Sequence, residues 1–429
     1  MAPQTIHHRA TSILVIGAGE LGSAILDSLT THPLYSPSTT KISLAVRPST
    51  LTSPTPEKQA HQHTYREKGV HLVPADLEAW SEDDLARMLR DGQYTAVIHA
   101  GGFGVGAGTM LKLTRAVLSA AAANTNTNTT NGTDTADTNN PGSVGNSGSV
   151  EYYVPWQFGA DYDAITRAGG QGMFSEQIDV RDLLRSQQRV DWVIVSCGIF
   201  MSFLFQEFWG VMQCERSEHD QKRREHGQTQ SEHEQKQSEH QQKQSEHQRE
   251  QSEHHHEGNA TQNQNQDQSQ DKIITITALN SWSDWITTTT ATDIAKCTAE
   301  LLYCPDTPVN QPVYIAGDTL TYSEFADAIE RAVADTDTDT TTSTSRKSNS
   351  SHHSKHTPLL VRNVWPLEYL REESRRDPDN QLKRYRVVFA EGRGLSWPKE
   401  QTWSWKRGMK MEGVEEWVKK NWNWNWGGL

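Results

Sequence analysis

The sequence predicts an α/β protein, a doubly wound parallel sheet with a smaller C-terminal substrate lobe, interrupted by three low-complexity insertions. Three observations predict it. Short apolar runs alternate with helix-like segments from Ser12 to Gly198, the pattern of parallel strands joined by crossover helices. The first run, Ser12 to Ile16, ends in Gly17-Ala18-Gly19-Glu20-Leu21-Gly22 and passes directly into a helical pattern. That Rossmann-like strand–turn–helix is the arrangement that holds a dinucleotide pyrophosphate. Composition then breaks at 124–149, 216–271 and 335–357, polar tracts with no apolar periodicity. Such tracts bury too little apolar surface to offset their ordering entropy and are expected to be disordered.

Bulk composition agrees. Of 429 residues, 34% are hydrophobic, below the roughly 45–50% usual for a globular chain. The polar tracts dilute an ordinary core of about 324 residues. A net charge of −13 argues against general nucleic-acid binding, which needs a basic face. No apolar run approaches the ~20 residues of a membrane helix, and Met1 to Ala10 lacks a secretory apolar core. A cytoplasmic protein is therefore expected. The cysteines Cys197, Cys214, Cys297 and Cys304 form no Cys-x-x-Cys pair, so free thiols are expected instead of a zinc site or a disulfide framework. The Ser-Glu-His repeat of 216–271 recurs mostly every seven residues but has no apolar heptad position, hence no coiled-coil seam. Its histidines are assigned no metal.

In the glycine turn, Gly17 permits the tight bend and Gly19 lets backbone N–H groups approach the phosphates. Gly22 lets the helix pack close to the strand. Glu20 and Leu21, at the helix start, complete this part of the cofactor-binding set. The helix from Glu20 ends near Thr30. The second strand, Lys41 to Arg47, decides the cofactor, since an acid at its end suits the ribose 2′-hydroxyl of NAD and an arginine the 2′-phosphate of NADP. Arg47 stands there, which points to NADPH. A third strand is expected over Val70 to Leu77, followed by a helix capped by Ser81 with Glu82, Asp83 and Asp84 in its first turn. The fourth, Tyr94 to Gly102, ends in glycines, and Gly101 is expected over the cofactor ribose. His99 is read as a histidine satisfied at a strand end, the alternative being a contact with the cofactor. A helix over Gly108 to Ala123 leads to the first insertion.

The fifth strand is expected over Glu151 to Gly159, then a helix from Met173 to Gln188 and a sixth strand over Val190 to Gly198. An aromatic segment, Phe200 to Gly210, opens the lobe. Beyond the second insertion come strands at Lys272 to Thr277 and Pro312 to Asp318, and a helix from Asp293 to Tyr303. Thr321 and Glu324 have capping-box spacing before a helix over Phe325 to Ala334. Eight of the fourteen tryptophans follow residue 364, and Trp417 is expected to anchor a terminal helix. The domain division is 1–198 for dinucleotide binding and 199–429 for the substrate lobe with sheet-completing elements.

Several segments together resemble the fungal NmrA-like, isoflavone-reductase-like family of atypical short-chain dehydrogenases. They are the Gly-Ala-Gly-Glu-Leu-Gly turn, Val154-Pro155-Trp156-Gln157-Phe158-Gly159-Ala160-Asp161-Tyr162-Asp163, Asp191 to Ser196, Val313 to Asp318, and Asp377-Pro378-Asp379-Asn380 with Tyr385 to Gly392. The likeness covers nearly the whole core and none of the insertions. It implies an NADPH-linked oxidoreductase that reduces a small unsaturated metabolite (imine, carbonyl or enone), with secondary metabolism such as alkaloid biosynthesis as its setting. In plant relatives the segment after the fifth strand lies beside the nicotinamide. The resemblance therefore assigns Trp156 and Phe158 to the nicotinamide and substrate wall, with Phe200 on the substrate side.

The departures concern the proton. No tyrosine is followed by lysine four residues on, so the Tyr-x-x-x-Lys acid of ordinary short-chain dehydrogenases is absent. Plant relatives place a lysine on the helix after the fifth strand. Gln177 or its neighbour Glu176 stands there, and Met173 to Gln188 contains no lysine. Tyr162 is the nearest phenol. An iminium substrate relaxes the demand, since it carries its proton already and mainly needs hydride placement and charge stabilisation. The alternative is a non-catalytic NAD(P)-binding redox sensor acting on a transcriptional partner protein.

Overall fold

Alternation within the first strand decides the architecture. In β1 (Ser12–Ile16), Ile13 and Val15 pack into one apolar cluster and Leu14 and Ile16 into another, all buried. Both faces of the sheet therefore need cover, as in parallel α/β folds. A computed structural model of the chain describes residues 10–52, 54–101, 106–121, 150–215, 273–339 and 359–422. The first two insertions and most of the third lie outside the described residues.

The elements follow as α1 (Glu20–Thr31), β2 (Lys41–Val46), α2 (Pro48–Thr52), α3 (Pro56–Glu67), β3 (His71–Pro74), α4 (Glu82–Asp91), β4 (Ala96–His99), α5 (Thr109–Ala120), β5 (Tyr152–Val154), α6 (Tyr162–Ile165), α7 (Ser175–Arg185) and β6 (Asp191–Ser196). Then come β7 (Ile199–Phe200), α8 (Met201–Leu204), β8 (Met212–Glu215), β9 (Ile273–Leu279), β10 (Trp285–Thr289), α9 (Ala291–Tyr303), β11 (Gln311–Tyr314), β12 (Asp318–Thr321), α10 (Tyr322–Asp339), β13 (Leu359–Trp365), α11 (Leu367–Arg376), α12 (Gln381–Glu391), α13 (Trp403–Lys406) and α14 (Val414–Asn421).

Seven strands make one parallel sheet in the order β11-β6-β5-β4-β1-β2-β3. Apolar residues of α1 and α9 bury into one cluster with the sheet; those of α4, α5 and α7 bury into the other. The strand order reverses between β1 and β4, where open α/β sheets leave a crevice at their carboxyl ends. The sheet thus matches the doubly wound expectation, with β11 as a seventh strand supplied from beyond the second insertion. Two three-stranded sheets, β12-β10-β7 and β13-β9-β8, build the lobe around Trp209, Tyr322 and Phe325.

Local signals account for several boundaries. Ser81 and Asp84 form a reciprocal capping box at the start of α4, and Thr321 and Glu324 do the same before α10. Three elements differ from the sequence reading. The fifth strand stops at Val154, because Pro155 has no N–H for the ladder and the chain turns until Gly159 rejoins at a single bridge to Ser196. Helix α10 runs on to Asp339, into the start of the third polar tract. Helices α2 and α3 occupy a stretch where no element was expected.

The second insertion joins β8 to β9. These strands are antiparallel, with Glu215 directly opposite Ile273, so the two ends of the tract already stand where a two-residue hairpin would join them. Replacing 216–272 with Asn-Gly is expected to leave the melting temperature and dinucleotide affinity within experimental error of the full chain. Aggregation of the shortened protein would show that the tract is structural.

Candidate cofactor and substrate site

The glycine turn is fixed by close approaches. Gly17 adopts φ +105°, and a Cβ there would lie 2.5 Å from the carbonyl oxygen of Ala100 at the end of β4. A Cβ on Gly22 would lie 2.0 Å from the Gly17 carbonyl oxygen. Gly19 differs: a Cβ there would meet nothing within 4 Å, so its backbone faces open space at the N-terminus of α1, where amides and helix dipole favour an anion. Leu21 sends its side chain into the core, leaving only its backbone to the turn. The Glu20 carboxylate accepts a hydrogen bond from the Ser202 hydroxyl at 2.9 Å, tying the turn to the lobe.

From this turn a cavity of about 490 Å³ extends over the ends of β2 and β3. Gly17, Gly101, Arg47, Lys58, His61 and Asp76 are among its lining residues. Helix α3 forms one wall. It starts with Thr55 capping the Lys58 amide and Pro56 in its first turn, and it docks through Tyr65, whose hydroxyl is 2.8 Å from Ser23 Oγ on α1. Gln62 secures it to the Thr50 carbonyl at 2.8 Å. Arg47 and Lys58 thereby share one cavity, and neither has an ion-pair partner among the described residues. Asp76 is turned toward its own loop, accepting from the Ala79 and Glu78 amides at 3.0 and 3.1 Å. These amides, with Arg47 nearby, hold its carboxyl below the usual range. Glu57 and Glu78 line the same cavity, so the two cations stand there among three acids. Lys58 and Asp76 were missed in the sequence, although Thr55-Pro56-Glu57 is a helix-start signal.

At the carboxyl ends of β4, β5 and β6, Trp156, Phe158 and Phe200 pack on the same apolar cluster, with the Trp156 and Phe158 rings 5.9 Å apart. Tyr162 lies in a different cluster with Phe174 and Ile178, its ring 4.9 Å from that of Phe174. Burial pushes its phenol above the ordinary range. The Glu176 carboxylate accepts from the Gly108 and Leu111 amides at 2.9 and 3.0 Å, capping α5 from α7. Gln177 is half-buried, and its Oε1 has no hydrogen-bond partner among the described residues. The structure therefore pairs Trp156 with Phe158 and packs Phe200 on the same cluster, whereas the Tyr162 ring belongs to the neighbouring cluster with its hydroxyl against Gly159, where a Cβ would lie 2.9 Å from it.

His99 is fully buried, and neither ring nitrogen has a partner among the described residues. A Cβ on Gly101 would lie 2.6 Å from His99 Nε2, so the glycine is what leaves room for the imidazole. Burial lowers the His99 pKa from 6.5 to about 4. The unfolded chain thus binds a proton that the native state refuses between those values, and the stabilisation present above pH 6.5 is lost toward pH 4. The dependence approaches ~1.4 kcal/mol per pH unit in that window. Urea unfolding at pH 7 and pH 5 should show His99→Leu losing less stability on acidification than the parent; identical losses would remove His99 as the cause.

No family model matches the chain. An NmrA-like family domain-containing oxidoreductase from Gibberella moniliformis is 30% identical over 408 residues, which span 95% of this chain and 97% of that protein. Among solved structures, isoflavone reductase superposes with a TM-score of 0.57 at 14% identity, covering 96% of this chain and 99% of its own. The binary complex of leucoanthocyanidin reductase with NADPH from Vitis vinifera gives 0.57 at 13% identity, covering 95% and 98%.

Proposed function

The chain belongs to the NmrA-like family of oxidoreductases, and we propose that it is an NADPH-dependent reductase of a small unsaturated metabolite, an imine, carbonyl or enone. The observation that carries this reading is the cavity that opens from the glycine turn and is lined by both Arg47 and Lys58, cations without an ion-pair partner among the described residues that would suit a 2′-phosphate despite Glu57, Asp76 and Glu78 on the same lining. Gly17, Gly19 and Gly22, with the backbone of Glu20 and Leu21, would hold the pyrophosphate, and Gly101 would border the ribose. NADPH supplies the hydride when bound. Trp156, Phe158 and Phe200 would form the apolar wall that excludes water and orients the acceptor. Gln177, with its unpartnered Oε1, would orient a polar group on the acceptor without exchanging a proton. Tyr162 would serve as proton donor only if its cluster opened, which favours an acceptor that arrives already protonated. The division into residues 1–198 and 199–429, a cytoplasmic location and a role in secondary metabolism belong to the same proposal.

One observation favours a second reading. Helix α7 offers no lysine and engages Glu176 as a cap, so the site has no evident acid–base group, as suits a dinucleotide sensor with a protein partner. NADPH deuterated at C4, on each face separately, decides between them. Incubated with the protein and a metabolite extract of its source, a reductase transfers label to a product detectable by mass spectrometry. Absence of labelled product across extracts and a panel of imines, carbonyls and enones, with NADPH bound tightly, would support the sensor.

A further inference from the structure

The buried arginine of α7 is used by nothing described so far. Arg181 is 0% exposed, unusual for a residue that almost never leaves water unless paired. Its Nε donates to Gln157 Oε1 at 2.7 Å, and one terminal nitrogen donates to Asp163 at 2.6 Å. Asp161 lies 3.5 Å from the same nitrogen, and the guanidinium sits over the Tyr162 ring, 5.3 Å from its centroid. Arg185, one turn on, also binds Asp163, and the hydrogen bonds from Arg185, followed by the effect of Arg181, lower the Asp163 carboxyl pKa.

Gln157 carries the consequence. It is itself buried, stands between Trp156 and Phe158, and donates from Nε2 to the Gln177 carbonyl at 2.9 Å. One amide thus joins the segment bearing the aromatic wall to the first turn of α7, and Arg181 fixes the orientation of that amide by claiming its oxygen. The planar guanidinium serves two acceptors at once in a set geometry. A structural salt bridge would need only Asp163; the bond to Gln157 is additional and points at the wall.

We infer that Arg181 is a positioning residue, which acts through Gln157 to hold Trp156, Phe158 and Gln177 in register for the nicotinamide half of the cofactor. The inference rests on the cofactor reading above. It separates two ends of one ligand: the adenosine-phosphate end meets Arg47 and Lys58 and is untouched by Arg181, whereas the nicotinamide end depends on it.

The test compares NADPH with 2′,5′-ADP, which has the phosphorylated adenosine half and no nicotinamide, on the full chain by calorimetric titration. Arg181→Met should weaken NADPH about tenfold and leave 2′,5′-ADP within about twofold. Arg181→Lys keeps the charge beside Asp163 but loses the fork and should fall between. Gln157→Glu retains the Arg181 contact while removing the donor to Gln177; it should weaken NADPH alone, and it decides the matter if Arg181→Met does not fold. Equal losses for both ligands, or no loss for either, would overturn the positioning role. A parent protein that binds neither ligand would remove the cofactor reading and this inference with it.

Discussion

Arg47→Glu is expected to weaken NADPH binding about a hundredfold while moving NADH by less than about threefold. The argument is electrostatic. Arg47 follows β2 and lines the cavity with Lys58, so that under this reading a 2′-phosphate would depend on these two cations against the Glu57, Asp76 and Glu78 carboxylates of the same lining. The substitution removes one of these charges and places an anion against the phosphate, whereas the 2′-hydroxyl of NADH suffers no such repulsion and gains an acceptor. Because Arg47 is exposed, the effect is screened, and the NADPH loss should shrink as ionic strength rises. Fluorescence titration of both cofactors at two salt concentrations measures this. Equal losses for the two would take the 2′-phosphate away from Arg47.

What could be read from the sequence, and what could not, follows from how local each feature is. The glycine turn was legible because its three glycines stand at fixed spacing, Gly17 and Gly22 answering close backbone approaches and Gly19 leaving its backbone open, and the caps at Ser81 and Thr321 because their partners lie three residues on. Helix α3 was not, because it buries only Gln62 and Tyr65 and so shows no apolar stripe. With it went Lys58, which lines the cavity with Arg47. The fifth strand was read too long because the apolar run continues past Pro155, although the ladder does not. The burial of the Tyr162 ring in a cluster with Phe174 and Val388 joins residues of different elements, which no local pattern encodes. Arg181 carries no signal in the sequence, being one charge on a polar helix. Its partners, Gln157 and Asp163, lie 24 and 18 residues earlier.

The glycine turn gives the other large effect, as a contrast between two substitutions three residues apart. Gly19→Ala is expected to leave stability unchanged and to weaken dinucleotide binding by at least about tenfold. Gly19 has φ −76° and ψ −167°, a conformation any residue adopts, and its added methyl would stand in open space. That space is where the phosphates would approach the backbone, so the cost falls on the ligand alone. Gly22→Ala should lose both. Its methyl would lie 2.0 Å from the Gly17 carbonyl oxygen and 2.8 Å from the carbonyl carbon, and backbone cannot swing aside as a side chain can. Either α1 moves off the strand or the turn opens, and α1 carries Leu21, Ile25, Leu26 and Leu29 into the core. Overpacking of this kind costs about 3 kcal/mol, a fall of roughly 6–10 °C in melting temperature for a domain of this size. Differential scanning fluorimetry with and without NADPH reads both variants together. A Gly19→Ala protein that still binds normally would mean that the phosphates do not cross the turn, and the cofactor would have to be placed elsewhere along the crevice.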